Sequence, residues 1–287
     1  MQYLALSVLF SSLIFVIFKL YTRFNVQTLY AIITNYVVAS TVGLIAYTGK
    51  FSILEIQQRS WFLGALALGI LFILVFNIMA ATSQRLGVSV ASVATKMSFV
   101  LPAFIGVFLY NEQLGPLKII GIIIAIFAVY LSSIKKTGVA FKLGHLLLPF
   151  LVFLGSGLID TAIKYFQEIH LGKGELPLFS ATVFFSAAIS GFIFMGFNAV
   201  KKPMRFSLKN LIGGIALGVP NYFSIYFLIK ALEFKGLNSA SIFTVNNVAI
   251  VMLSTLFGIL FFKERLSVRN WTGIGLAVVS IILVAAT

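Results

Sequence analysis

Ten long apolar runs, separated by short polar gaps, make up almost the whole chain. Most approach the ~20 residues that an α-helix needs to cross the hydrocarbon core of a membrane. Ile119–Leu131 is apolar without a break, whereas a barrel strand would alternate polar and apolar positions. The pattern predicts an all-α integral membrane protein with ten transmembrane helices. The predicted helices are Tyr3–Phe18, Thr28–Tyr47, Trp61–Thr82, Val88–Leu109, Leu117–Ile134, Leu146–Phe166, Pro177–Asn198, Leu211–Leu232, Leu237–Phe262 and Trp271–Ala286.

Two halves of the chain carry the same spaced motif. Glu112 precedes Gly121 by nine residues, and Glu264 precedes Gly273 by nine residues, with a leucine two positions after each glutamate. Further upstream, Gly87 and Gly236 each precede an Ala-Ser pair by four residues. Because charged and glycine positions match, and not only apolar ones, the pattern indicates an internal duplication.

The duplication predicts two five-helix repeats, at residues 1–137 and 138–287. An odd number of helices per repeat forces the second repeat to enter the membrane from the opposite side. The repeats are therefore expected to be inverted, and carriers with inverted repeats place their substrate site near the membrane midplane between the halves.

Composition excludes a sizeable soluble domain. Only 10% of the residues are charged and 60% are hydrophobic, whereas a soluble domain has roughly a quarter charged residues. In a soluble protein the net charge of +14 would suggest nucleic acid. Here the basic residues fill the gaps between apolar runs, as in loops that face anionic lipid. We therefore expect membrane lipid, and no nucleic acid, as a partner.

The paired motifs resemble the EamA-type branch of the drug/metabolite transporter superfamily. The resemblance rests on ten spans in two repeats and on the Glu-x-Leu-x6-Gly motif that starts at Glu112 and at Glu264. A glycine often precedes this glutamate in the family, but Asn111 and Lys263 stand there in this chain. The resemblance implies a carrier of amino acids, sugars, nucleotide conjugates or other small metabolites. We also expect a bacterial cytoplasmic (inner) membrane and a monomer or homodimer.

Orientation stays open at the level of sequence. The loops that follow odd-numbered helices carry the larger share of lysine and arginine, and the positive-inside rule then places both termini outside. The resemblance instead implies termini inside. The direction of transport, proton coupling and the identity of the substrate are not predicted.

Lys96 is the most informative single residue. It lies about 12 Å from the nearer end of its predicted helix at 1.5 Å per residue, too deep to reach the surface by extending its side chain. A lysine near the membrane centre costs about 2.5–3.5 kcal/mol on insertion scales. We expect Lys96 either to bind an anionic group of the substrate or to pair with a buried acid.

Asp160 is the one acid well inside an apolar run, with Lys164 one helical turn further on. Either the two form a structural charge pair, or Asp160 takes part in substrate binding or proton coupling. Lys230 and Glu233 are expected to form a structural pair at a helix end.

Several intramembrane amides and tyrosines are further candidates for substrate binding, with helix–helix hydrogen bonding as the alternative. They are Asn77, Asn221, Asn246, Asn247, Tyr36 and Tyr222. Asn246 and Asn247 are the better candidates because their helix repeats the Lys96 helix. Pro102, Gly218 and Pro220 are candidates for a gating hinge or a packing kink, since proline removes one backbone hydrogen bond of a helix.

Nothing in the sequence predicts catalysis, a cofactor or a metal site. It has no phosphate-binding glycine loop and no nucleophile–base constellation, and its two histidines lie 25 residues apart. The leading hypothesis is a secondary transporter that works by alternating access. The alternatives are an intramembrane lipid-modifying enzyme, which would need clustered acids or histidines, and a non-transporting scaffold subunit, which would leave Lys96 unexplained.

Overall fold

The fold is a bundle of α-helices. The computed structural model describes residues 2–47, 49, 52–110, 115–134, 144–172, 174–199, 207–232 and 239–285, and within these ranges it contains no strand. The helices are α1 (Gln2–Arg23), α2 (Thr28–Ala46), α3 (Ile53–Gln57), α4 (Phe62–Leu86), α5 (Val88–Met97), α6 (Val100–Tyr110), α7 (Pro116–Ser133), α8 (Gly144–Ile169), α9 (Leu176–Ala199), α10 (Leu208–Leu232), α11 (Ser239–Phe262) and α12 (Val268–Ala285).

The helices confirm the prediction of an all-α membrane protein. Nine spans within the described ranges are long and apolar enough to cross a membrane, with α5 and α6 counted together, and Val268–Val284 forms a shorter apolar helix. One element was not predicted: the polar connection after α2 forms the short helix α3. Ser52 caps this helix by accepting a hydrogen bond from the Glu55 backbone N–H at 3.2 Å.

The fourth predicted helix is broken just after Lys96. The chain turns at Ser98 and Phe99, so that α5 ends at Met97 and α6 begins at Val100. Pro102 explains the break, because it has no N–H to donate to the Ser98 carbonyl four residues earlier. The Leu101 N–H instead donates to that carbonyl at 2.9 Å and closes a tight turn.

The packing of the helices shows the relation between the two halves. α1 packs on α11, and α8 packs on α5 and α6, which are the corresponding contacts of the two repeats. In the same way α2 packs on α10 and α4 packs on α9, while α7 and α12, the last helices of each half, pack on each other. Each half therefore completes the core of the other.

The motif glycines Gly121 and Gly273 lie in the contact between α7 and α12. A Cβ atom on Gly121 would come within 2.5 Å of Val284, and one on Gly273 would collide with the Ser132 backbone and lie 3.0 Å from the Ala128 carbonyl. The glycines therefore allow the two helices to approach closely. The repeated motif marks a helix–helix contact that the two halves make in equivalent ways.

The hinge candidates Gly218 and Pro220 lie inside α10, which is continuous through both residues. A Cβ atom on Gly218 would lie 3.0 Å from the Val38 side chain of α2. One turn earlier, Gly214 faces α2 even more closely, since a Cβ atom there would overlap Thr34 and lie 2.6 Å from the Ala31 carbonyl. These glycines serve close packing of α10 on α2.

We predict that Gly214→Ala separates α10 from α2 and lowers the free energy of unfolding by about 1–3 kcal/mol. The measurement is thermal unfolding in detergent followed by tryptophan fluorescence. Gly275→Ala in α12 is the control, because no atom lies within 4 Å of a Cβ atom at Gly275. Equal unfolding temperatures for the two variants would contradict the packing role of Gly214.

Candidate functional site

Lys96 of the first half and Asp160 of the second half lie close together in the interior of the bundle. The ammonium of Lys96 and the carboxylate of Asp160 attract each other electrostatically. No direct ion pair or hydrogen bond joins the two side chains within the described residues. Opposite charges from the two halves thus lie near each other without direct contact.

Ser98 links Asp160 to the end of α5, the helix that carries Lys96. Its hydroxyl shares its proton between Asp160 Oδ2, at 3.1 Å, and the Thr95 carbonyl, at 2.6 Å. Ser98 occupies the turn between α5 and α6 and is itself buried. The break in the fourth helix therefore holds a hydrogen-bond donor against the carboxylate of α8.

Both charged side chains are accessible although they lie deep within the protein. Asp160 is exposed and Lys96 is partly exposed, while many protein atoms surround each at longer range. Residues next to Asp160 on the faces toward the protein, such as Ile159 and Ser156, are buried. Access of this kind requires an opening within the bundle, which is where an intramembrane charge is tolerated.

α5 packs against α11, whereas α6 packs against α8 and has no comparable packing on α11 in the part of the chain that the structure describes. We infer that α6 diverges from α11 beyond the turn at Ser98 and Phe99, and we call the space between the two helices the wedge. We call the end of the bundle where α5 begins and α11 ends the closed end, and the end where α6 ends and α11 begins the open end.

Polar contacts between the halves hold the closed end together. Tyr21 donates its hydroxyl proton to the Gly213 carbonyl at 2.8 Å, and the Gln27 N–H donates to Asn210 Oδ1 at 2.9 Å. Asn270, at the start of α12, donates through Nδ2 to the carbonyls of Ser132 and Ile134 at the end of α7.

At the open end Arg59 and Glu175 form an ion pair of 2.9 Å. This pair joins the starts of α4 and α9, and it does not involve α6 or α11.

Glu264 makes the most specific of the contacts at the closed end. Its Oε1 accepts a hydrogen bond from the Val88 N–H at 2.6 Å, and its Oε2 accepts one from the Ser89 hydroxyl at 2.8 Å. Val88 and Ser89 form the first turn of α5, whose free N–H groups and helix dipole favour a carboxylate. A residue of the second half thereby caps the helix that carries Lys96.

Sequence reasoning singled out Glu264 as a motif residue but did not predict its partner. Two signals were present: an acidic residue just past the end of α11, and Gly87 just before α5. Gly87 has a φ of 117°, a conformation that favours glycine. The repeat-related Glu112 lies outside the described residues.

The candidate amides take different positions. Asn221 is buried and donates to Asn35 Oδ1 at 3.1 Å, so it links α10 to α2. Asn77 is partly exposed and donates to the Ile73 carbonyl of its own helix. Asn246 is buried, and its Oδ1 has no hydrogen-bond partner among the described residues. Asn247 is partly exposed. Asn246 and Asn247 therefore remain the amide candidates for the substrate site.

The two tyrosine candidates pack on other aromatic side chains. Tyr36 is fully buried, donates to the Phe72 carbonyl at 3.0 Å and stacks on Phe184. Tyr222 stacks on Tyr226 in an aromatic group along α10. In this conformation both tyrosines contribute to packing.

The predicted pair of Lys230 and Glu233 cannot be traced, because Glu233 lies outside the described residues. Lys164 lies one turn beyond Asp160 in α8, while the contacts of Asp160 identified above are with α5 and with the turn after it. Within the described ranges no three His, Asp or Glu side chains come together in a way that could hold a metal ion.

Comparison with known proteins identifies the family. The model of the EamA-like transporter family matches residues 1–134 and 142–286, so that it covers the chain once in each half. The chain belongs to the EamA-like transporter family. A Haemophilus influenzae protein, described as an uncharacterized protein, is 32% identical over 282 residues and spans 96% of this chain and 94% of its own length.

A solved crystal structure supports the fold of this EamA-like transporter. It has a TM-score of 0.57 at 15% sequence identity and covers 97% of this chain and 96% of its own. The family is a two-repeat helical membrane fold, which confirms the resemblance and the fold class predicted above. Membership indicates a multi-pass membrane transporter of small molecules and is consistent with the prediction that the protein is not an enzyme.

We predict that Lys96 and Asp160 are energetically coupled in this EamA-like transporter. Lys96→Met and Asp160→Asn each leave one interior charge without its opposite, so the double variant should lose less stability than the two single losses together. The difference should be at least about 0.5 kcal/mol, as for charged residues that share an environment. The measurement is thermal unfolding of the four proteins in detergent, and additive losses would contradict the coupling.

Proposed function

We propose that this protein is a secondary transporter that moves a small zwitterionic or anionic metabolite across the membrane by alternating access. The observation that carries the proposal is the pair Lys96 and Asp160: two opposite charges, one from each half, that are accessible and not in direct contact. A purely structural charge pair would be expected to close into a hydrogen-bonded ion pair away from water.

The chemistry of the pair suggests how a substrate would be held. Lys96 offers three N–H donors and a positive charge to a carboxylate or phosphate group, and Asp160 offers acceptor oxygens to an ammonium group. Ser98, which donates to Asp160 Oδ2, fixes one of those oxygens and leaves the other for the substrate. A molecule that carries both charges would satisfy both halves at once, as an amino acid does.

The wedge between α6 and α11 supports alternating access. Packing of α5 on α11 and the Glu264 cap lie between the charge pair and the closed end, and α6 has no comparable packing on α11 toward the open end within the described residues. An inverted repeat allows the halves to exchange these roles around a fixed midplane site. Alternating access requires conformations in which one end of the bundle is closed while the other is open, and this conformation is of that kind.

As part of the proposal, we place the protein in a bacterial cytoplasmic membrane, because its Haemophilus influenzae relative is bacterial. The closed end carries the larger share of basic loop residues. Under the positive-inside rule this end would face the cytoplasm, and the conformation described above would be open to the outside.

We predict that zwitterionic or anionic metabolites raise the unfolding temperature of the protein and are exchanged by proteoliposomes. Lys96→Met should weaken binding of both classes at least about tenfold, because it removes the partner of the substrate anion. Asp160→Asn should weaken binding of zwitterions but spare simple anions. The measurements are thermal shift titrations with amino acids, carboxylates, phosphate esters and organic cations, followed by uptake of the best ligand.

Two variants control for the change of charge. Lys209→Met removes an exposed lysine at the start of α10, and Glu168→Gln removes an exposed acid two turns beyond Asp160 on the same helix. Both should bind like the unmodified protein. Stabilisation by organic cations alone, or a ligand response that survives Lys96→Met, would refute the proposed substrate class.

A further inference from the structure

We propose that Glu264 is a releasable latch: its carboxylate holds the closed end shut through the first turn of α5 and must leave that turn for the closed end to open. This inference rests on the proposed transport function, because it assigns the contact that controls access to the same site. It concerns a step of the cycle and is independent of which metabolite is carried.

The Glu264 carboxylate fits closely against the first turn of α5. Both oxygens are used, Oε1 by the Val88 N–H at 2.6 Å and Oε2 by the Ser89 hydroxyl at 2.8 Å. Two glycines leave the room that the carboxylate occupies. A Cβ atom on Gly87 would lie 2.8 Å from Oε1, and one on Gly258 would lie 2.5 Å from Oε2.

The contact joins the two halves through a segment without regular structure. Glu264 follows the end of α11, whose last residue is Phe262, and α12 begins at Val268. Its N–H donates to the Gly258 carbonyl at 3.1 Å, so the carboxylate is anchored to α11 and not to the half that it caps. Release therefore requires only the hydrogen bonds to α5 to break.

The interface behind the latch is suited to separation. Gly258 faces Ser89 of α5, so that Ser254, one turn deeper in α11, lies on the same helix face. The hydroxyls of Ser254 and Thr255 are buried and have no hydrogen-bond partner among the described residues. Buried hydroxyls without partners favour a state in which water reaches them. Opening of the closed end would provide that water.

The latch is mechanically connected to the candidate site. Lys96 follows Ser89 by seven residues in α5, which is two helical turns or about 10 Å. Because α5 is a separate helix that ends at Met97, movement of its first turn carries Lys96 with it. Release of Glu264 would thus change the position of Lys96 relative to Asp160 on α8.

The protein offers a background-free test because its sequence contains no cysteine. Ser254→Cys introduces a thiol in place of a buried hydroxyl of similar size. In the closed conformation this thiol is shielded from both ends, and opening of the closed end should expose it. The readout is the rate of its reaction with a water-soluble maleimide in detergent, which does not depend on transport or on a ligand.

In the Ser254→Cys background, Glu264→Ala should raise the labelling rate about tenfold, since a charge-assisted cap is lost. Gly258→Ala should raise it similarly, because its methyl group displaces the carboxylate while α5 keeps its sequence. Gly275→Ala is the matched glycine control with no neighbour at its Cβ, and Asn270→Ala removes a polar contact between α7 and α12 at the same end. Both controls should leave the rate unchanged.

The result that overturns the latch is a fall in unfolding temperature for Glu264→Ala and Gly258→Ala with no rise in labelling. Glu264 would then be a structural cap. A rise in labelling with Asn270→Ala as large as with Glu264→Ala would also overturn it, by showing general loosening of the closed end. Failure of the transport proposal would appear separately, as the lack of ligand response and exchange in the unmodified protein.

Discussion

Charge inside the hydrocarbon layer is the constraint on which this structure depends. A lone lysine or aspartate at that depth must find water, an opposite charge or a hydrogen-bond partner. Lys96 and Asp160 attract each other, Ser98 donates to the Asp160 carboxylate, and both charged side chains are accessible. Packing of α8 on α5 brings Asp160 near Lys96, and the turn at the break in the fourth helix places Ser98 against the carboxylate.

The rest of the bundle solves the opposite problem, which is to hold apolar helices together where lipid is as apolar as they are. Small residues and backbone carbonyls do this work. Glycines bring α7 against α12 and α10 against α2, and serine hydroxyls donate to carbonyls of neighbouring helices, as Ser280 does to Gly121 at 2.7 Å.

The internal duplication determines how the two halves contact each other. Because each repeat completes the core of the other, contacts between the halves appear in equivalent pairs. The fourth helix departs from this symmetry: it is broken into α5 and α6, whereas α11, its counterpart, is continuous. The Glu264 carboxylate caps the start of α5, where the first backbone N–H groups have no acceptor within the helix.

The sequence by itself determined the membrane class, the helical spans, the repeat and the family, because these depend on apolar run length and on spacing, which are local. It also identified Lys96 and Asp160 as costly residues that need an explanation. It did not reveal that they lie close together, since a pairing 64 residues apart depends on how α8 packs on α5. The partner of Glu264 and the packing contacts of Tyr36 and Asn221 were not predicted either, because they also depend on how distant helices pack. Only the tertiary structure decided which polar residues satisfy each other and which face the opening.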